Sequence, residues 1–339
     1  MRAYGPVVLG AALLLSLTGC SAGDRPATPP TPMTVSSSAT ASPTPTAAPP
    51  ITPAQALAEF TEFARANVWV REAGLMRDAL EQVTGGQSSL TAAAFDSAGG
   101  RPAAYRWGEP TLLVPRLAPG DKNPWFSAIV PRDGKPTLVT FARGGGRWRL
   151  TSMTVLRKVP QVEIGADGYA TPLASDDVSV RISPKYVGPL HATIAEAGSE
   201  GVAGKLIAPG PFTTEIAESD ARDRAMWRDR AYDNDSTFST GDLPVYALRT
   251  KDGGALVQYS LTRTTTVTPK TTGEEGVPIP VPERARWAVG DVVKPTRLKP
   301  LSVSEVHQFA TAVPPADAEH PADVVAHDGG VIKASGPTG

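Results

Sequence analysis

A single cysteine stands among 339 residues, at position 20. A chain with one thiol cannot close an internal disulfide and cannot build a cysteine-ligated metal site. Whatever folds here is held by apolar burial. The length permits it, because a folded part of about 265 residues buries roughly 70% or more of its unfolded surface. Two stretches are read as contributing nothing to that core. Of the thirty residues 21–50, 19 are Ser, Thr or Pro and 6 are Ala, with no aromatic residue and Val35 as the sole β-branched aliphatic. Such a segment has too little apolar surface to offset its ordering entropy. Its prolines favour extended backbone, so it reads as a tether with a reach on the order of 90 Å. Residues 313–339 carry Pro, Ala, Gly and His without periodicity and read as a disordered tail.

The first twenty residues have a separate logic. Arg2 precedes an apolar run from Val7 to Leu17, the pattern of a secretory signal. That run is shorter than the roughly 20 residues a membrane-spanning helix needs. Leu17-Thr18-Gly19-Cys20 follows, and it resembles the lipobox of bacterial lipoprotein precursors. The resemblance implies that residues 1–19 are a removed signal peptide. It implies that Cys20 is the lipid attachment site, carrying two or three acyl chains, enough for stable anchoring. The mature chain then sits on the cell membrane and faces the extracellular or cell-wall side, with residues 20–50 as the lipidated cysteine and its tether. Gly19-Cys20-Ser21-Ala22-Gly23 also spells the G-x-S-x-G of hydrolase nucleophile elbows, but that elbow needs a strand before it and a helix after it.

Without residues 1–19 the chain has 32 basic against 34 acidic side chains, a net charge of −2. Nothing in that balance recruits nucleic acid or anionic headgroups.

The expected globular part has two halves, 51–157 and 182–312. Thr52-Pro53-Ala54-Gln55 is a capping box with proline in the first turn, opening an amphipathic helix with Leu57, Phe60, Phe63 and Ala64. A second helix over Glu72–Gln82 is expected to end at Gly85-Gly86. Strands follow. Tyr105–Pro115 reads as one, Trp125–Val130 and Thr137–Phe141 as a hairpin about Asp133-Gly134, and Arg147–Leu156 as the closing strand. The second half opens with a helix-like stretch from Ser183-Pro184 to Ala197, interrupted by Gly188-Pro189. Pro244–Leu248, Lys251–Gly254 and Ala255–Leu261 then repeat the order of Pro, aromatic strand, basic-Asp-Gly turn and strand, which suggests duplication. Ser302-Val303-Ser304-Glu305 reads as a capping box for a last short helix with Val306, Phe309 and Ala310 on its apolar face.

Helices first, then antiparallel strands ending in Gly-x-Trp-x-Leu, resemble the cone-shaped α+β fold of NTF2-like and cystatin-like proteins. The expected fold class is therefore α+β, two tandem cone-like domains with N-terminal helices packed on a curved antiparallel sheet. Over about residues 52–312 the chain is also similar to the secreted actinobacterial proteins of DUF8094 type. That similarity rests on Ala64-Arg65-Ala66-Asn67, on Arg77-Asp78-Ala79-Leu80-Glu81-Gln82-Val83-Thr84-Gly85-Gly86 and on the strand series. It implies no catalytic residue.

Chemistry is sparse. His191, His307, His320 and His327 never pair at i, i+4, so no metal and no cofactor is expected. Asp233-Asn234-Asp235 with Asp242 suggests a calcium loop, but Phe238 and Pro244 stand where such a loop needs Gly and Glu. There is no S-x-x-K for penicillin-binding chemistry and no phosphate loop. Of the six tryptophans, Trp227, in a charged run, is expected to be the most exposed. Glu215, Glu218, Asp220, Asp233, Asp235 and Asp242, beside Arg222, Arg224, Arg228 and Arg230, are the acids with which an acid/base site would be built. The expected function is a non-catalytic envelope binding module, partnered by the membrane and by an envelope protein or peptide. The alternative is a hydrolase-like envelope enzyme with its site inside a cone.

Overall fold

The structure is a computed structural model and describes residues 48–270, 279–290, 292–293 and 300–336. The expected signal peptide, Cys20 and all but the last residues of the tether lie outside those residues.

Helix α1 (Pro53–Ala73) starts as its sequence requires. Gln55 N–H donates to Thr52 Oγ1 at 3.2 Å, Thr52 N–H donates to Gln55 Oε1 at 2.8 Å, and Pro53 fills the first turn. Gly74, at φ 71°, ends it. Helices α2 (Met76–Glu81) and α3 (Gly86–Ser97) follow. The pair Gly85-Gly86, read from sequence as a helix end, instead opens α3, because Gly85 at φ 58° turns the chain and a side chain on Gly86 would press on Val306 at 3.0 Å.

Strands β1 (Thr111–Leu113), β2 (Trp125–Arg132), β3 (Lys135–Gly144) and β4 (Arg147–Leu156) form an antiparallel meander. Asp133 (φ 52°) and Gly134 (φ 79°) make the tight β2–β3 turn, both in the left-handed region that such turns demand. The strand expected over Tyr105–Pro115 shrinks to β1. Pro131 in β2 has no N–H for the facing residue, and only an isolated Trp107–Arg132 bridge forms past it.

Helices α4 (Pro184–Ala197), α5 (Ala203–Leu206) and α6 (Thr214–Asp229) precede β5 (Tyr232–Ser239), β6 (Tyr246–Arg249) and β7 (Ala255–Pro269). The short pair β8 (Ile279–Pro280) and β9 (Val292–Val293) flanks a 3-10 turn at Glu283–Ala285 and helix α7 (Arg286–Val289). Two long strands, β10 (Leu301–Val313) and β11 (Asp323–Ser335), complete the fold. Helices thus pack on an antiparallel sheet, an α+β architecture.

Two expectations fail here. The 302–305 capping box does not open a helix, because β10 is paired along its length with β7 and also with β11. The expected tail is not disordered over its described residues, 313–336. Its residues 323–335 form β11, with Val325 and Ala326 fully buried.

The main sheet has the order β1-β2-β3-β4-β11-β10-β7-β5, with β6 also on β7. Each half contributes a meander, and β4 joins β11 through Leu156–Ala326 and Val155–His327. Burial explains why these strands lack alternation. On β2 and β3, Phe126, Ala128, Val139 and Phe141 face the core under α1, while Trp125 and Leu138 face a different core. On β7, Val257, Tyr259 and Leu261 face the core under α4, while Leu256 joins Trp125 and Leu138. The shared core holds Leu113, Leu156, Leu248 and Val325 as well, so the back faces of the two halves pack on each other. Polar ties cross the same interface. Ser127, Thr140 and Gln258 form a closed hydrogen-bonded triangle, and Gln308 accepts from Met153 N–H at 2.8 Å. Residues 47–339 accordingly form one compact unit. The stretch between the halves is laced to both edges, with Ala170 N–H on Val114 O and Glu163 N–H on Arg249 O.

Candidate functional site

The open side of the second half carries a buried ion network. In the β10–β7 register Glu305 lies opposite Arg263, so the alternation of two paired strands places both side chains on the helix-covered face. Arg263 pairs with Asp220 of α6 and, at 3.5 Å, with Glu305. Its Nε donates to Ser236 Oγ at 2.8 Å. Arg284, from the 3-10 turn, donates through Nε to Glu305 Oε1 at 3.1 Å. The side chains of Arg263, Asp220 and Glu305 are 13%, 5% and 3% exposed, so these charges have left water and depend on one another. Burial pushes the Asp220 carboxyl above its ordinary value, against the pull of Arg263.

A cleft of about 880 Å³ opens over this network. Pro209–Pro211 and the first turns of α6 wall it, with Glu215, Glu218, Arg222 and Asp223 on the rim and Asp220, Arg263 and Arg284 at the base. Glu215 begins the helix where an anion is favoured. Of the charged groups, Arg263, Arg284 and Asp220 are held by the network and Arg222 is 3.9 Å from Glu218, which leaves Glu215 and Asp223 as the excess. The cleft is acidic and suits a cationic guest.

Three histidines of the same half gather around Phe309. His191 of α4 is fully buried. Its Nε2–H donates to the Phe212 carbonyl, which fixes Nδ1 as the acceptor of the Tyr259 hydroxyl at 2.8 Å. His307 and His327 share one hydrogen bond at 3.0 Å, and Phe309 touches all three rings, stacked on His307, tilted on His327 and edge-on to His191. Burial lowers His191 to about 4 and His307 to about 3, and lowers His327 as well, so the rings are neutral at neutral pH. Among the described residues no group of three or more His, Cys, Asp or Glu is arranged to hold a metal ion. No described helix is long and apolar enough to cross a membrane.

The family model described as "Domain of unknown function (DUF8094)" matches residues 47–336. The chain belongs to this family. An uncharacterized lipoprotein of Streptomyces coelicolor is 28% identical over 284 residues, 77% of each chain. An uncharacterized lipoprotein of Streptomyces avermitilis is 26% identical over 271 residues, 76% of each chain. The lipoprotein read from the N-terminal sequence and the actinobacterial DUF8094 type read from residues 52–312 agree with these relatives. No solved structure matches.

In this DUF8094 protein the acids nominated from sequence part company. Glu215, Glu218 and Asp220 meet at the cleft, whereas Asp233 and Asp235 point outward from β5, Asp233 toward Lys270 at 3.0 Å. The segment Asp233-Asn234-Asp235 is strand, paired with β7, so it is no calcium loop. Trp227 is 7% exposed and packs on Tyr232, whereas Trp69, on α1, is the exposed tryptophan at 59%. His307 and His327 sit in strands, not in a helix and a tail. Arg263, Arg284 and Glu305 were not legible as site residues. They come from strands and a turn far apart in the chain, and each has the look of an ordinary surface charge.

Proposed function

We propose that this protein is a lipid-anchored binding module of the cell envelope that holds a basic peptide segment of an envelope partner in the cleft over Asp220 and Arg263. The carrying observation is the cleft itself, floored by a desolvated ion network and rimmed by excess carboxylate. In this reading Cys20 bears the lipid, residues 21–50 hold the folded part away from the membrane, and the domain faces outward. The helices-then-meander order of the halves, 51–157 and 182–335, supports two NTF2-like or cystatin-like units fused back to back. Cys20→Ala should release the protein to the medium or leave it unprocessed, and fractionation like the wild type would remove the anchor from the account.

A second reading has one observation on its side. Asp220, with its raised carboxyl, opens on the cleft as a hydrolase acid would. Its contact with Arg263 and the lack of a nucleophile motif favour binding. Titration of a fluorescein-labelled Gly-Lys-Gly-Lys-Gly peptide separates the two. Binding should weaken with salt and fall several-fold in Glu215→Gln/Asp223→Asn. Turnover of esters or peptidoglycan fragments that Asp220→Asn abolishes would replace the binding module with an enzyme.

A further inference from the structure

We infer that a second cavity, between the two halves, binds the carboxylate end of a small amino-acid-like ligand. This goes beyond the basic-peptide cleft, with which the cavity shares Arg284 in its lining. The cavity encloses about 540 Å³, within the range of small-molecule sites, and lies among α1, α3, α7 and β11.

Arg71 of α1 lines it and is 6% exposed. Its Nε donates to Ala103 O at 2.7 Å, and its guanidinium lies 4.1 Å over the Tyr105 ring. Among the described residues no carboxylate pairs with it. The other cation on Tyr105, Arg132, is already neutralised by Asp328 at 2.7 Å. A buried guanidinium with no counter-charge in contact, attracted only at longer range by Asp133, is costly, and an anion entering the cavity lowers that cost. Its planar donor fork matches a carboxylate. Burial lowers the Arg71 pKa and the nearby Arg132 charge adds to this, while Tyr105 and Asp133 oppose it.

A second orphan lines the same cavity. Gln87 of α3 is 6% exposed, and its Oε1 has no hydrogen-bond partner. It is free to accept from a ligand N–H. Glu283 also lines the wall and suits an ammonium group, while Leu90, Met153 and Trp287 give an apolar surface. Carboxylate, N–H donor, cation and a short apolar body together describe an amino acid or a very short peptide.

Calorimetric titration of the full lipidated chain in detergent with L-alanyl-L-alanine tests this. The wild type should bind the dipeptide at least tenfold more tightly than its C-terminal amide, which lacks the anion. Arg71→Met should lose at least tenfold in dipeptide affinity while melting at or above the wild-type temperature, because an uncompensated charge has been removed. Arg71→Lys should bind with intermediate affinity, since it keeps the charge and loses the fork. Absence of dipeptide binding, equal binding of the amide, or phosphate binding without dipeptide binding would overturn the assignment. So would an Arg71→Met protein that is folded and binds like the wild type. None of these outcomes touches Glu215 or Asp223, so they leave the basic-peptide cleft to stand or fall on its own titration.

Discussion

Arg263 shows how much rests on one side chain. It is the common partner of Asp220 and Glu305, each almost fully buried. Arg263→Met would leave Asp220 without a counter-charge and Glu305 with Arg284 alone, and it should cost about 3–5 kcal/mol in urea unfolding. The buried histidines give a second prediction at this scale. His191, at about 4, and His307, at about 3, hold protons less readily folded than their ordinary 6.5. Between pH 6.5 and those values the unfolded chain binds more protons. Stability is therefore full above pH 6.5 and falls as pH drops, by up to about 1.4 kcal/mol per unit for each ring. Unfolding midpoints at pH 7 and pH 5 should show this loss, and a folded His191→Gln protein should lose part of the slope. At the same scale the sequence hid the site. Asp220 is one acid among five on α6, and nothing in its neighbours marks it as the one turned inward toward Arg263.

At the scale of elements, local signals carried the helices and the hairpins. Thr52 with Gln55, Asp133 with Gly134 and Asp252 with Gly253 are short-range chemistry, and each does what such residues do in isolation. The misreadings fall where tertiary pairing overrides local preference. Ser302 to Glu305 has the letters of a capping box, yet β7 and β11 claim its backbone from both sides. Val306, Phe309 and Ala310 match a helical stripe only because β10 is buried on both faces, which erases the period of two. The strand β11 looked like a tail because of Gly329-Gly330 and a scatter of small residues. Gly329 is small for a reason: a Cβ there would stand 2.6 Å from Val306 O and 2.8 Å from His307 Cα, atoms of the neighbouring strand's backbone. Gly329→Ala should cost about 1–3 kcal/mol through overpacking and should disturb the His307–His327 contact, which the histidine resonances would report.

At the scale of the molecule, the two halves are not independent beads on a tether. Their helices lie on outer faces, their meanders meet edge to edge at β4 and β11, and their back faces share the core around Trp125, Leu138 and Leu256. That arrangement leaves the open face of the second half with a cleft in which excess carboxylate and empty volume coincide, which is the basis for assigning it the basic peptide. Hydrogen exchange of the full lipidated chain, with and without saturating Gly-Lys-Gly-Lys-Gly, tests this assignment most directly. The account predicts slowed exchange over residues 209–223 and in β7 around Arg263, with β1 to β3 unchanged. Saturation without protection of that segment, or protection confined to the first half, would contradict it.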